Sequence, residues 1–399
     1  MITDKIVYKR KLLDKLIESI NNKEIIVVTG MRRVGKTTLF KMVYEHIKTK
    51  NKVFLDLDNP LNQKIFEEED YNNLWANLAP FGISNKEKAF IFLDEIQVKP
   101  EAIKAIKYLY DHYDAKFFLT GSSSFYLKNL FPESLAGRKI IFELFPLDFE
   151  EFMLFKEKIK KFYPKFSQKD KNKNKIEHEK IKKLYEEYAE FGGFPQVVLE
   201  DSYERKKEIL AEIFTSYFEK DVQSLADFKE INKFRDLLLL ILKRVGSKLD
   251  ISKLSSELGV SRETIYSYIS FLEKTYFIKL ISPFTKSIDR EISGTKKIYI
   301  CDNGIGKYIG KCEDGNLFEN AVFNNLKNYG EIKYYERRIG GEIDFILSEQ
   351  NIALETKNKG DIKDYLNLKK LSGSLGLKEC YIVSKEFINK EGFIIASDI

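Results

Sequence analysis

The stretch EIIVVTGMRRVGKTTLF, residues 24–40, decides the fold of this 399-residue chain. Residues 24–29 are an apolar, β-branched run that predicts a buried strand. The spacing G-x-x-x-x-G-K-T follows in Gly30, Gly35, Lys36 and Thr37, and a helical pattern begins at Thr38. A strand, a glycine loop and a helix in this order predict a loop that wraps around phosphate groups.

Backbone N–H groups would give this loop its chemistry. Glycines let these groups turn inward around phosphate oxygens, and the start of the helix adds unpaired N–H groups and a positive dipole end. Lys36 is predicted to reach the β- and γ-phosphates, and the Thr37 hydroxyl to ligate Mg²⁺. The alternative is a glycine-rich turn that binds nothing. The predicted nucleotide-binding residues are Gly30, Arg32, Arg33, Val34, Gly35, Lys36, Thr37 and Thr38.

A second apolar run, KAFIFLDEIQ, ends in two acids. Residues 89–93 predict a strand that delivers Asp94 and Glu95 to its carboxyl end, where open α/β sheets bind ligands. Asp94 is predicted to hold Mg²⁺ through water, and Glu95 to orient or deprotonate the attacking water. Acidic strand ends are common, so this prediction depends on its pairing with the phosphate loop.

Two further segments supply candidate catalytic residues. The run KFFLTGSSS ends in hydroxyls, and Thr120 and Ser122 are predicted to sense the γ-phosphate; the alternative is a simple turn. Arg138, in SLAGRKIIFELFPL, precedes a further predicted strand. It would contact phosphate in its own or a neighbouring subunit, or it would pair with a surface acid.

Composition excludes several classes of protein. Hydrophobic residues make up 43% of the chain and aromatic residues 14%, which is typical of folded domains rather than disordered ones. No uncharged apolar stretch approaches 18 residues, and the amino terminus lacks the apolar core of a signal peptide. Three cysteines without paired spacing fit a reducing cytosol, and three histidines disfavour a histidine metal site. We therefore expect a cytoplasmic protein with no membrane partner.

Charge is distributed unevenly along the chain. The formal net charge is +6, and residues 156–183 contain twelve Lys against four Asp or Glu. Such a run is typical of a solvated, mobile surface. Only 11 of the 67 basic residues are Arg. We therefore expect an Arg where the fixed geometry of the guanidinium N–H donors is needed, because Lys cannot reproduce it.

The middle of the chain contains the pattern of a helix-turn-helix. In DISKLSSELGVSRETIYSYISFLEKTYFI, Gly259 makes the turn and Ser261 caps the second helix. Two β-rich stretches follow, FIKLISPF and KKIYICD, as in a winged helix. The exposed side of the second helix presents Arg262, Tyr266 and Ser267, the predicted DNA contacts, although Glu263 beside them is unfavourable there. An intramolecular lid or a protein contact is the alternative. The residues predicted to face inward are Leu254, Leu258, Ile265, Tyr268, Ile269 and Leu272.

The motifs TGMRRVGKTTL, IFLDEIQ, LTGSSS, LAGR and FPLDFEEF together resemble the AAA-type ATPases of archaea and bacteria, related to the origin-recognition and signalling clade. The resemblance covers residues 1 to about 225 and includes FGGFPQVV in a helical lid. It implies ATP as the nucleotide, a parallel sheet, and a Ser/Thr sensor on the strand that ends at Thr120.

The stretch EIDFILSEQNIALETK, residues 342–357, predicts a β-hairpin. A turn centred on residues 349–350 sets Asp344 directly across from Glu355, and like charges facing each other across strands are destabilising. A divalent ion between the two carboxylates would remove that repulsion.

Together with GNLFENAVFNNL, this hairpin resembles the PD-(D/E)xK nuclease fold, which would be the carboxyl-terminal domain. The resemblance implies a metal site at Glu319, Asp344 and Glu355, with Lys357 stabilising transition-state charge. Ile343 stands where the pattern has proline. The alternative is an inactive relic that binds DNA or protein.

These observations predict an α/β fold with four modules: a P-loop ATPase core (1–150), a helical lid with a Lys-rich insertion (151–230), a winged helix (231–310) and a restriction-endonuclease-like domain (311–399). Parallel strands are expected to alternate with helices at both ends of the chain. The predicted function is Mg²⁺-dependent ATP hydrolysis coupled to nucleic-acid binding or processing. The alternative is a nucleotide-dependent signalling switch that works through protein contacts, including contacts with a second copy of the chain.

Overall fold

The computed structural model describes residues 8–121, 137–223, 230–285, 287–337 and 340–399. The chain divides into two compact units. The first contains Met1–Phe145 and Lys274–Tyr276, and the second contains Pro146–Glu273 and Phe277–Ile399. The first boundary lies near the predicted end of the ATPase core. The finer division of the second unit into three modules stays a prediction.

A parallel sheet forms the centre of the first unit. Within the described part of the chain its strand order is β2-β3-β4-β1-β5, and all four neighbouring pairs are parallel, as predicted. The strands are β1 (Ile25–Thr29), β2 (Lys52–Asp56), β3 (Ala89–Asp94), β4 (Ala115–Gly121) and β5 (Lys139–Glu143). The helices are α1 (Leu12–Glu18), α2 (Lys36–His46), α3 (Pro60–Lys64), α4 (Leu74–Leu78) and α5 (Ala102–His112).

Apolar side chains cover both faces of this sheet. On one face the Phe92 and Phe118 rings stack with centroids 4.3 Å apart, and the Phe40 ring of α2 contacts Phe92 edge-on at 5.6 Å. On the other face Ile91 and Leu93 belong to a core that includes the inner side of α5. A parallel strand buried on both faces needs a continuous apolar run, which is why β1 and β3 were recognisable from sequence.

The second unit begins with helices and continues through a helix-turn-helix into a second sheet. Its helices are α6 (Phe149–Phe155), α7 (Phe166–Lys171), α8 (Lys175–Phe191), α9 (Pro195–Val198), α10 (Tyr203–Tyr217), α11 (Ile231–Lys243), α12 (Ile251–Leu258), α13 (Arg262–Lys274), α14 (Ile288–Ser293), α15 (Asn303–Tyr308), α16 (Asp314–Leu326) and α17 (Ile362–Leu375). Its strands are β6 (Ile278–Ile281), β7 (Lys297–Ile300), β8 (Ile332–Glu336), β9 (Glu342–Leu347), β10 (Ile352–Lys357), β11 (Glu379–Ser384) and β12 (Phe393–Ile395).

The helix-turn-helix has the predicted inward and outward faces. Gly259 ends α12 in the left-handed conformation, and the Ser261 hydroxyl accepts the Thr264 N–H at 3.1 Å to cap α13. All six residues predicted to face inward are buried. The antiparallel pair β6–β7 follows in the chain. The assignment of this segment as a winged helix stays a prediction.

Part of the Lys-rich run is packed rather than solvated. Lys169 is 1% exposed and donates to the Asp398 carbonyl, and Lys173 donates to the Phe393 carbonyl at 2.8 Å. Lys160 forms an ion pair with Asp398. The expectation of a mobile surface was wrong for these residues, because their ammonium groups satisfy main-chain and carboxylate oxygens at the carboxyl end of the chain.

The second sheet is mixed. Among the residues that the structure describes, its order is β12-β11-β10-β9-β8, with parallel pairing from β10 to β12 and antiparallel pairing from β8 to β10. The expectation of parallel strands that alternate with helices is thus right for β10 and β11, which α17 joins, and wrong for β8 to β10, because the short turn after β9 can join only antiparallel neighbours. The hairpin register was right: Ile352 pairs with Leu347 and Leu354 with Phe345.

In the ranges that the structure describes, no helix combines the length and the apolar character needed to cross a membrane. The three cysteines are free.

Candidate functional site

The phosphate loop connects β1 to α2 and adopts a conformation that needs glycine. Gly35 has φ 98° at the start of α2, and Arg33 within the loop has φ 64°. A Cβ on Gly30 would lie 2.1 Å from the main-chain oxygen of Leu144, so no side chain fits there. The eleven-residue α2 points its free N–H groups at this loop. The predicted strand, loop and helix are thus present.

Lys36 lies inside the loop. Its ammonium group donates to the carbonyls of Gly30 at 2.9 Å and Met31 at 3.0 Å, and the residue is 5% exposed. Val34 is buried, Arg33 and Thr38 are exposed, and Arg32 is intermediate. A lysine held by loop carbonyls supplies a positive charge where the predicted phosphates would bind.

Asp94 lies at the carboxyl end of β3 between two hydroxyl groups. Thr37 donates to one carboxylate oxygen at 2.7 Å, and Thr120 donates to the other. Burial raises the pKa of the Asp94 carboxyl above its ordinary value, and the two hydrogen bonds oppose that rise. Thr37 and Asp94 therefore present hard oxygen atoms side by side, which is the donor chemistry of Mg²⁺ in nucleotide sites. The residues fit the predicted ion.

Glu95 is held in a strained conformation next to this network. Its φ is 55°, which is uncommon for a residue other than glycine and is enriched at functional sites. Its N–H donates to the Thr120 hydroxyl oxygen at 3.0 Å. Its carboxylate accepts a hydrogen bond from the Gln97 side chain and lies 4.0 Å from the Arg32 guanidinium. Thr120 thus links both acids of the predicted site.

Arg138 is not at this edge of the sheet. Its carbonyl accepts the Ile25 N–H at 2.7 Å, at the start of β1, whereas the phosphate loop follows the end of β1. The five residues of β1 separate the two positions by roughly 13 Å. Its guanidinium pairs with Asp111 at 2.9 Å. The predicted contact with phosphates of its own subunit was therefore wrong, because Arg138 pairs with a surface acid at the other end of β1, and a contact with phosphate in a neighbouring subunit stays a prediction. Ser122 lies outside the described residues.

Arg10 is a site residue that the sequence analysis missed. Its guanidinium donates to the Val34 carbonyl and to the Phe145 carbonyl, each at 2.8 Å, and the residue is 5% exposed. The fork of one arginine thus fixes the phosphate loop to the segment after β5. The scarcity of arginine in the chain was the one signal that could have pointed to it. Gln97, which holds Glu95, was also missed.

The acids predicted for a nuclease site each have a protein partner. Asp344 accepts from the Thr356 N–H and from the Thr356 hydroxyl, both at 2.7 Å. Glu355 pairs with Lys357 at 2.8 Å. Burial raises the pKa of Glu355, and Lys357 opposes the rise. Throughout the described ranges, no three His, Cys, Asp or Glu side chains are grouped so that they could hold a metal ion.

Glu319 is the third of these acids, and a lysine lies beside it. Tyr299 donates to its Oε1 at 2.6 Å, and the Lys297 ammonium is 3.8 Å from the same oxygen. Burial and the charge of Asp344 raise the pKa of Glu319 to about 7, while Lys297 and Tyr299 oppose the rise. The arrangement does not fit a divalent ion, because the Lys297 ammonium lies beside Glu319 and, among the described residues, no three acids are grouped as ligands.

The predicted DNA contacts lie on one exposed face of α13. Arg262, Tyr266 and Ser267 are exposed, as is Glu263, and Tyr266 is 60% exposed. Their contact with DNA stays a prediction.

Comparison with known sequences agrees with this geometry. A family described as an AAA domain matches residues 22–153, and a family described as a domain of unknown function (DUF8612) matches residues 182–314. The uncharacterized protein MJ1544 of Methanocaldococcus jannaschii is 31% identical over 403 residues, which cover 92% of this chain and 86% of that protein. An uncharacterized protein of Haemophilus influenzae is 26% identical, with coverage of 94% and 91%.

A solved structure, the Walker-type ATPase PABY2304 of Pyrococcus abyssi, aligns over 76% of this chain and 96% of its own, with 16% identity. Its TM-score of 0.48 is too low to carry a functional conclusion. The extent of the match to the archaeal sequence, together with the phosphate loop, establishes the relationship: this chain belongs to the same family as MJ1544, and its amino-terminal unit is a P-loop ATPase domain of the AAA type.

Proposed function

We propose that this protein binds and hydrolyses ATP with Mg²⁺ and that its nucleotide state controls binding of nucleic acid through α13. The observation that carries the first part is the network at the carboxyl edge of the parallel sheet. Thr37 and Thr120 both donate to Asp94, and Thr120 also accepts the Glu95 N–H. Hydrolysis needs an ion-binding group and a water-orienting group held in fixed geometry, and this network links one of each.

Each residue of the proposed site would have its own role in hydrolysis. The loop N–H groups and the Lys36 ammonium would bind the phosphates, because they place positive charge where negative charge develops. Glu95 would orient and deprotonate the attacking water. Thr120 would fix the positions of Asp94 and Glu95 relative to each other. Mg²⁺, bound by Thr37 and Asp94, would supply neutralising charge to the phosphate oxygens.

The exposed face of α13 and the positive net charge of the chain support the proposed binding of nucleic acid. The predicted contact residues share one exposed face near the amino end of α13, and the chain carries a net charge of +6. Helices of this kind place their amino-terminal residues against base edges, while basic residues elsewhere neutralise backbone phosphates.

Steady-state ATP turnover tests the proposal. Wild type should release phosphate with Mg²⁺, and double-stranded or single-stranded DNA should raise the rate. The paired variant Arg262→Ala with Tyr266→Ala should keep basal turnover and lose the stimulation, since it leaves the amino-terminal unit intact. DNA binding should also weaken as salt rises, because bound phosphates release counterions.

Two results would contradict the proposal at different points. If the chain releases no phosphate when it is given Mg·ATP, the proposed ATP hydrolysis is wrong. Turnover that DNA leaves unchanged, accompanied by self-association that depends on nucleotide, would instead support a switch that works through protein contacts.

A further inference from the structure

A buried lysine lies inside the carboxylate cluster of the second unit. Lys297 begins β7 and is 4% exposed. Its ammonium group forms an ion pair with Glu342 and lies 3.8 Å from Glu319 Oε1. Asp344 acts on the same ammonium electrostatically. Two carboxylates, one on α16 and one on β9, therefore lie next to a positive charge that comes from a different strand, and a third, Asp344, acts on it electrostatically.

This lysine lies where a cation would be needed. The fold resemblance predicts a divalent ion that offsets the repulsion among Glu319, Asp344 and Glu355, and Lys297 contacts the first of these acids. A largely buried carboxylate such as Glu319 needs a compensating charge, whether from a metal ion or from a side chain. The ammonium of Lys297 supplies one, and it would repel a second cation placed among the same oxygens.

The remaining contacts of the cluster also involve oxygen atoms that a divalent ion would need. One oxygen of the Asp344 carboxylate accepts two hydrogen bonds from Thr356, and Glu319 Oε1 accepts the Tyr299 hydroxyl. Mg²⁺ demands near-ideal octahedral geometry from its ligands, so an ion next to Glu319 would have to displace the lysine.

We propose that the Lys297 ammonium takes the place of the divalent cation in this cluster, so that the protein binds no divalent ion there. The second sheet then keeps the arrangement of a metal-dependent nuclease without its ion. It would then not cleave phosphodiester bonds by a metal-dependent route. This inference is independent of ATP hydrolysis in the amino-terminal unit.

Binding of Mn²⁺ to the full-length chain without nucleotide tests the proposal. The electron paramagnetic resonance signal of free Mn²⁺ is titrated with protein at about pH 8, above the raised pKa of Glu319. Lys297→Met should bind about one ion per chain at least roughly tenfold more tightly than wild type. The double variant Lys297→Met with Asp344→Asn should lose that binding, which assigns the ion to this cluster. Lys297→Arg should behave as wild type, because it keeps the charge.

Lys333→Met is the matched control. Lys333 is also a largely buried lysine that joins two acids, Glu291 at 2.7 Å and Glu331 at 3.2 Å, but it lies outside the cluster. Its loss should create no Mn²⁺ site. If Lys297→Met folds poorly, its thermal unfolding is measured with and without Mn²⁺, and a rise in Tm with the ion that is absent in wild type supports the proposal.

Two outcomes overturn the proposal. Wild type that binds Mn²⁺ at a site abolished by Asp344→Asn would show that the lysine does not replace the ion. Lys297→Met that neither binds Mn²⁺ nor gains stability from it would show that this position does not serve as a cation site.

Discussion

Two carboxylate clusters in this protein use similar residues and differ in their partners. At the amino-terminal cluster, hydroxyl groups of Thr37 and Thr120 donate to Asp94. At the carboxyl-terminal cluster, the Lys297 ammonium lies between Glu319 and Glu342. A hydroxyl donor fixes a carboxylate without cancelling its charge, whereas an ammonium group cancels it. The hydroxyl groups thus leave the charge of Asp94 unchanged, whereas the Lys297 ammonium offsets part of the negative charge of the second cluster and lies next to Glu319 and Glu342.

The position of each lysine explains this difference. Lys36 donates to main-chain carbonyls of the phosphate loop. Lys297 instead contacts carboxylates directly. Strand-end acids alone therefore do not identify a metal site. The partner of each oxygen decides whether an ion can bind.

The severest test of the amino-terminal cluster is Lys36→Ala. Removing the ammonium group should lower phosphate release by about 10³-fold, because a preorganised charge at the transferring phosphate is lost. Steady-state phosphate release with Mg·ATP measures the effect. Lys41→Ala is the matched control, since Lys41 is exposed on the same helix. Equal rates for wild type and Lys36→Ala would mean that this loop does not bind the reacting nucleotide.

Glu95→Gln should separate binding from hydrolysis. Loss of the base should lower turnover by about 10²-fold, while the affinity for ATP stays within about threefold of wild type. Calorimetric ATP binding and phosphate release measure the two effects. The exposed Glu101, replaced by Gln, is the control. An unchanged rate would indicate that the cluster binds nucleotide without catalysing its hydrolysis.

Thr120→Val tests whether the hydroxyl network itself matters. The variant removes the donor to Asp94 and the acceptor of the Glu95 N–H, so turnover should fall about tenfold as both acids lose their positions. Thr120→Ser keeps the hydroxyl and should recover most of the rate. If Val and Ser variants are equally impaired, the methyl packing of Thr120 matters and its hydrogen bonds do not.

The sequence predicted the amino-terminal cluster well because its residues are local to recognisable elements. Gly30 to Thr37 follow one apolar strand, and Asp94 follows another, so strand ends in a parallel sheet bring them together. The inward face of α13 was predictable for the same reason, since helical periodicity is a local signal.

The partners of the second cluster were not predictable in this way. Lys297 and Glu342 are 45 positions apart, and Arg10 and Val34 are 24 apart. Neither pair belongs to a periodic pattern or a motif in the amino-acid sequence. The same holds for Lys173 and the Phe393 carbonyl, 220 positions apart, which is why the Lys-rich run resembled a free surface. Contacts between residues that are far apart in the sequence depend on the assembled fold, whereas a motif contains only residues that are close together in the sequence.

The smallest expected effect concerns proton uptake at the second cluster. The pKa of Glu319 rises from 4.5 to about 7 on folding, chiefly through burial. Since the folded state holds this proton more tightly than the unfolded state, the stabilisation is complete below about pH 4.5 and is lost as pH rises through about 7. Glu319→Gln cannot ionise and should escape this loss.

The Tm of Glu319→Gln relative to wild type should therefore increase by roughly 5 °C between pH 4.5 and pH 8. Calorimetric scans across that range measure the difference, and Glu349→Gln, an exposed acid in the hairpin turn, is the control. Lys297, Asp344, Glu342 and Tyr299 all act on Glu319, and Lys297 alone favours its charged form electrostatically. A Tm difference that stays constant with pH would mean that Glu319 takes up no proton on folding, because Lys297 offsets the cost of burying its charge.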